Sequence, residues 1–201
     1  MARNTGPKHR MCRRVGQPLC GQPKCPALKR PYPPGQHGQR PRRRESGYGK
    51  QLLEKQKLRH IYGVLERQFR NYFKKAVSGR ERPGERLLQM LETRLDNIVY
   101  RLGFANTLPH ARQLVVHGHI ELNGRKADIP SHPVAPGDVI SVREKSRNLG
   151  IIKEAIQARD DIVPYLERDA ENMSGRLLRI PSREEIPVPV DEDIIVAFYS
   201  R

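Results

Sequence analysis

The chain has 201 residues, of which 36% are hydrophobic, with no Trp and four Phe, enough for two modest cores but not for one deep one. A formal net charge of +16 repels itself in a compact fold and implies a polyanionic partner. The opening MARNTGPKHRM lacks a signal-peptide apolar region, and the longest late apolar stretch, Ile194 to Tyr199, is far too short to span a bilayer, so a cytoplasmic protein without membrane attachment is expected.

The first 48 residues are rich in Gly, Pro and Arg and lack apolar periodicity. They read as loops that need a metal, an RNA or both to order them. Amphipathic spacing predicts helices over 49–61, 64–77 and 84–92, interrupted at Gly63 and at SGRERPG. A further helix is expected over 93–102, ended by Gly103, and another over 108–117, opened by Thr107 and ended by Gly118. HIELNGRKADIP reads as a hairpin turning at Asn123-Gly124. A strand should follow at Val139–Val142 and a helix at about 149–159. Two late strands are expected, Arg176–Ile180 and Asp193–Tyr199.

Charge is uneven along this order. Residues 1–60 hold 16 Lys and Arg against 2 acids, residues 61–150 hold 15 against 9, and residues 151–201 hold 7 against 11. The RNA face is therefore expected in the N-terminal part, with the acidic end toward solvent or a basic neighbour. Arg42, Arg43 and Arg44, with Lys50, Lys55, Lys57 and Arg59, form a candidate phosphate clamp, Arg binding bidentately and Lys as a point charge. Tyr48, in this basic stretch, is the candidate base-stacking residue, whereas Phe69 and Phe73 at helical spacing are assigned to packing.

Three Cys in a reducing compartment point to metal ligands or free thiols rather than disulfides. His9-x₂-Cys12 and Cys20-x₄-Cys25 are two close pairs with seven residues between them, a spacing that fits one tetrahedral Zn²⁺. An iron–sulfur cluster is less well matched, since it would normally take four Cys. No nucleophile–base pair, paired carboxylates or phosphate-cradling glycine loop stands out, so no catalytic residues and no small-molecule substrate are expected.

The segment 93–142 reads TRLDNIVYRLGFA, then HARQLVVHGHIELNG, then PSHPVAPGDVISV. It resembles the small RNA-binding module shared by a small-subunit ribosomal protein family, pseudouridine synthases and bacterial tyrosyl-tRNA synthetases. The likeness extends along the chain, through RPYPPGQHGQ (30–39), EKQKLRHIYGVLERQFRNYF (54–73), LETRLDNIVYRLGF (91–104), EKSRNL (144–149) and the terminal FYSR. The whole resembles the bacterial small-subunit ribosomal protein family that is fourth in the standard naming, in its Cys-containing form. The resemblance implies RNA contacts at Arg94, Asn97, Arg101, Arg112, Gln113, His117, His119 and Asn123, with Asp96 structural, positioning Arg94 or capping backbone groups. It places Cys12, Cys20 and Cys25 on three ligand positions of a zinc site, with His9 where the first Cys of other members stands.

The expected fold is α+β, with a basic extension (1–48), a helical domain (49–92), and a domain (93–201) of helices on an antiparallel sheet containing the module at about 93–155. The expected function is architectural, clamping a junction of ribosomal RNA helices by shape and phosphate rather than by base sequence. The resemblance adds 5′-domain ribosomal RNA as partner, nucleation of small-subunit assembly, contact with the fifth small-subunit protein, a place near the messenger RNA entry path and an influence on decoding accuracy. An RNA-modifying enzyme carrying this module would need a catalytic domain, for which the basic loops and short helices before residue 93 leave no room. A regulator acting only on messenger RNA is the other alternative, separable by sedimentation with small subunits.

Overall fold

A computed structural model describes residues 6–40, 46–159 and 161–200; Arg42, Arg43 and Arg44 lie outside the described residues. Two compact units divide the chain, one of residues 1–84 with 188–201, the other of residues 85–187. The segment 188–201, grouped from sequence with the sheet, thus closes the first unit.

In the first unit, α1 (Arg10–Val15), α2 (Gly47–Ile61) and α3 (Glu66–Val77) are followed by the start of α4 (Pro83–Glu92) and, from the far end of the chain, α8 (Glu192–Tyr199). α2 opens on Ser46, whose hydroxyl accepts from the Gly49 N–H. α3 carries Glu66 in its first turn and Lys74 and Lys75 in its last, each matched to the helix dipole. Phe69, Phe73 and Ala76 are its buried stripe, and the ring of Tyr199 stacks on Phe73 with centroids 4.4 Å apart. Both Phe pack, as their spacing suggested.

The strand expected at Asp193–Tyr199 is instead helix α8. Asp191 caps it by accepting from the Asp193 and Ile194 N–H groups, and Glu192 and Asp193 occupy its first turn. These terminal signals, together with packing against α2, override the strand preference of Ile194, Ile195 and Val196. α1 was also unexpected, a six-residue helix closed by Gly16 in the left-handed region.

The second unit holds α5 (Leu95–Arg101), α6 (Leu108–Val116), α7 (Gly150–Gln157) and five strands. These are β1 (Ile120–Leu122), β2 (Arg125–Ala127), β3 (Val139–Val142), β4 (Leu166–Asp169) and β5 (Ser174–Leu177). The sheet is antiparallel throughout, in the order β2-β1-β3-β5-β4. Thr107 caps α6 as expected. Asn123 (φ 50) and Gly124 (φ 75) turn the β1–β2 hairpin, with both residues at the positive φ that matches strand twist. β5 starts earlier than expected, and β4 had no forecast, its LERD sequence lacking an apolar run.

The core of this unit joins Leu95, Ile98, Val99 and Leu102 of α5 and Leu114 and Val115 of α6 to Ile120, Ile140, Val142 and Leu177 of the sheet. Gly175 faces it, and a Cβ there would stand 2.4 Å from a Leu102 methyl and 2.8 Å from the Glu167 carbonyl oxygen. Glycine at this point of β5 is what lets α5 approach the sheet. The start of α5 is pinned by a loop, because Leu95 and Asp96 donate their N–H groups to the His132 and Pro130 carbonyls and Val134 donates to that of Thr93.

Candidate RNA interface and metal site

His9 stands at the N-cap of α1 and Cys12 lies within that helix, so one helical turn brings both side chains together. Cys25 precedes a short 3₁₀ turn (Pro26–Leu28). The ligand atoms of His9, Cys12, Cys20 and Cys25 all lie within 4.8 Å of one another, and His9 Nδ1 is 3.7 Å from Cys25 Sγ. Tetrahedral Zn²⁺ with bonds of about 2.0–2.3 Å needs donor separations of roughly 3.5–3.8 Å. One pair already meets that spacing, and the rest need to close by at most about an ångström.

The donor chemistry agrees. Burial, with Cys20 and Cys25 alongside, pushes the Cys12 thiol up to about 12, so three thiolates cannot share this space without a cation. The apolar cluster here is only Cys12, Cys25 and Ala27, with Leu19 and Cys20 against it. Three of the four candidate ligands thus belong to the apolar cluster of the described part of the extension. Arg13 secures its rear, donating to the Tyr32 carbonyl (3.1 Å) with its guanidinium 5.1 Å from the ring centroid.

The sequence-assigned cations of α2 divide into two sets. Lys50 and Tyr48 are exposed, Tyr48 with its ring 5.7 Å from that of Phe198. Lys55 is buried, 2.7 Å from Glu66 and 4.9 Å from the Phe198 ring centroid. Lys57 is buried 3.5 Å from Glu54, and Arg59 lies 3.1 Å from Glu66. These three face acids of their own unit. Lys55 and Lys57, expected at the RNA, are thus buried against Glu66 and Glu54, and meeting a phosphate would break these pairs.

The module residues divide similarly. Arg94 and Asp96 are each 1% exposed and paired twice, Nε to Oδ1 at 2.9 Å and Nη2 to Oδ2 at 2.6 Å. Asp96 thus holds Arg94 as an interior pair, so the Arg94 expected at the RNA lies buried in the second unit. Asn97 is buried too, donating to the Glu92 carbonyl at 2.9 Å. Arg101 approaches the fully buried Glu92 carboxylate at 2.5 Å, and the Tyr165 hydroxyl donates to the same carboxylate at 2.6 Å. Burial, with the Glu92 charge, keeps the Tyr165 proton in place well beyond the ordinary range.

Toward the surface lie the others. Gln113, His117 and Asn123 are exposed, Arg112 and His119 half-buried. Arg112 Nη1 is 3.6 Å from Asp96 Oδ2, so the buried carboxylate also orients this outer guanidinium. Asn123 closes its own turn, donating to Asp138 and accepting from the Val139 N–H. The His117 and His119 rings lie 6.0 Å apart, and His119 Nδ1 is 2.9 Å from Ser146 Oγ. Burial, then the charges of His117 and Arg143, lower the His119 pKa.

Two cations passed over in the sequence reading belong to this patch. Arg143 places Nη1 3.4 Å from the Gly118 carbonyl, and the Lys126 stem covers the Gly118 Cα. Their only signal was position, one in the hairpin arm and one directly after β3. Gly118 (φ 71) thus sits among His117, His119, Lys126 and Arg143, drawn from the α6 end and from strands β1–β3.

The model of the ribosomal protein S4/S9 N-terminal domain matches residues 3–92, and that of the S4 domain matches residues 93–140. The chain is 54% identical to the small ribosomal subunit protein uS4 of Rubrobacter xylanophilus over 201 residues, 52% to that of Thermus thermophilus over 209, and 55% to that of Geobacillus stearothermophilus over 201. Each alignment covers 100% of both chains.

Proposed function

From the premise that this chain belongs to the uS4 family of small ribosomal subunit proteins, a family of structural ribosomal components and not enzymes, we propose that it clamps a junction of ribosomal RNA helices in the 5′ domain and thereby nucleates subunit assembly. It works in the cytoplasm, within the small subunit. The observation that carries the RNA face is the convergence of His117, His119, Lys126 and Arg143 around Gly118, with Arg112 oriented by Asp96. These donors come from a helix end, a hairpin and a loop, which suits recognition of phosphates on a folded RNA surface rather than of base edges. Lys50, Tyr48 and the tract Arg42, Arg43 and Arg44 extend the contact, while Arg94, Asn97, Lys55 and Lys57 support it from inside. Contact with the fifth small-subunit protein, a place near the messenger entry path and an influence on decoding accuracy belong to the same reading.

The same proposal assigns one Zn²⁺ to His9, Cys12, Cys20 and Cys25. The metal would supply the cohesion that five small apolar side chains cannot. Purified protein in reducing buffer without chelator should carry one zinc per chain, and well under one metal per chain would overturn the site. The RNA face is tested by binding a 5′-domain transcript over a salt series. Log affinity should fall with log salt at a slope implying about six or more phosphate contacts. Arg112→Ala should lower that slope by about one with its thermal transition intact. A slope of only one or two contacts, or an Arg112 variant that binds like the parent, would refute the assignment.

A further inference from the structure

His60 was given no role by the sequence, yet it joins two parts of the first unit that lie 52 residues apart. It occupies the last turn of α2. Its Nε2 lies 2.9 Å from the carbonyl oxygen of Lys8, the residue directly before His9. The same oxygen lies 3.9 Å from Cys12 Sγ. A carbonyl only accepts, so this contact fixes the imidazole proton on Nε2.

We propose that His60 is a positioning residue, a latch whose Nε2–H holds the Lys8 carbonyl and thereby docks the metal-binding loop on α2. The proposal rests on the zinc and RNA reading above and adds to it how the extension is fixed to the helical unit. The loop's own cluster of Cys12, Cys25 and Ala27, with Leu19 and Cys20, is closed on itself. It holds the loop together without stating where the loop sits. The latch supplies a directional tie from an aromatic side chain with only two rotatable bonds, half-buried at the end of a regular helix. Burial lowers the His60 pKa against the opposing pull of the Lys8 carbonyl, with Arg59 and His9 lowering it further. The ring is therefore neutral near pH 7 and donates through its single proton. Docked in this way, the extension and α2 would meet RNA as one body, and the ordering cost of the extension would be met on folding rather than on binding.

The test compares full-length zinc-loaded protein with His60→Ala, His60→Gln and His60→Asn. The Gln amide nitrogen reaches about as far as Nε2, whereas the Asn nitrogen stands where Nδ1 does and falls short. Four quantities are measured: zinc per chain, the rate of zinc release to a chelator, the rate of protease cleavage within residues 1–40, and affinity for a 5′-domain transcript. All forms should load one zinc and keep the same thermal midpoint in the second unit. His60→Ala and His60→Asn should release zinc and be cleaved roughly fivefold to tenfold faster, the factor one ordinary hydrogen bond makes in an opening equilibrium. RNA affinity should fall by a similar factor, and His60→Gln should stay within about twofold of the parent on every measure. Unchanged release and cleavage in His60→Ala would overturn the latch. So would a Gln variant as impaired as Ala, since the ring's packing and not its donor would then matter. Should the parent carry no zinc, the metal assignment falls, and cleavage still decides the latch: Ala faster than Gln supports it, and equal rates overturn it.

Discussion

Asp96→Ala should be among the most damaging single changes in the second unit. The carboxylate faces Arg94 at 2.6 and 2.9 Å with both side chains 1% exposed, and Arg112 stands 3.6 Å from the same group. Removing it strips a buried guanidinium of its counter-charge, a change that typically costs about 3–5 kcal/mol. Domains of this size have roughly 5–15 kcal/mol in all. At about 4–8 °C per kcal/mol for a domain near 100 residues, the unit's midpoint should fall by more than about 10 °C. Replacing both partners, as Arg94→Met with Asp96→Leu, should be close to neutral, because neither charge of the pair is then left buried alone. Calorimetry of the full-length chain, with hydrogen exchange at second-unit amides to assign the transition, reads both variants. A cost below about 1 kcal/mol for Asp96→Ala, as for an exposed pair, would refute the reasoning. A double variant as damaged as the single one would do the same.

Three further expectations come from other parts of the molecule. Gly175→Ala places a Cβ 2.4 Å from a Leu102 methyl and 2.8 Å from a backbone oxygen, so denaturant unfolding should show a loss of about 1–3 kcal/mol or more, and a neutral result would mean that α5 does not rest on the strand. Burial opposes ionisation of Glu66, but the hydrogen bond and charge of Lys55, with Tyr199 and Arg59, hold its pKa below the ordinary 4.5. Its contribution is then complete above about pH 4.5 and is lost as pH falls through the lowered folded value, so Glu66→Gln should flatten the acid limb of a stability–pH curve, and an identical limb would show that the pairs add nothing. Cys20→Ser should make the first forty-odd residues protease-sensitive and weaken RNA binding while the second unit melts as before, since residues 85–187 contain no Cys; a variant with full zinc and unchanged digestion would exclude Cys20 as a ligand.

What the sequence disclosed was local. Thr107 before an apolar repeat, Gly118 after it, and Asn123-Gly124 between short alternating runs each carry their own stop or turn chemistry, so α6 and the hairpin were readable from neighbours alone. The grouping of His9, Cys12, Cys20 and Cys25 was readable for the same reason, all four falling within seventeen residues. α8 misled because Ile194, Ile195 and Val196 were weighed as strand formers while the Asp191 cap and the acids after it were passed over. β4 was invisible, since an edge strand with only one buried residue in four has no pattern to show. The interior fate of Lys55 depends on Glu66 of α3 and that of Asn97 on the Glu92 carbonyl, and no charge count along a chain reports which cation an acid on another element will take.

That last point changes where the polyanion should be sought, and it can be tested with two lysines five residues apart. Residues 1–60 owe their excess to 16 cations, yet Lys55, Lys57 and Arg59 lie against Glu66 and Glu54. A lysine that is buried as well as paired is costly to present to a phosphate, because release of condensed counterions requires a cation that reaches the RNA surface. Lys50, six residues after Arg44 in the sequence, is exposed in the first turn of α2. Lys50→Ala should therefore lower the salt slope of RNA binding by about one and leave stability within about 0.5 kcal/mol. Lys55→Met should do the reverse, retaining the slope while weakening the first unit, since Glu66 loses its nearest partner. Should Lys55→Met reduce the slope as much as Lys50→Ala does, RNA must draw Lys55 out of its pair, and the division of cations into inner and outer sets would not survive binding.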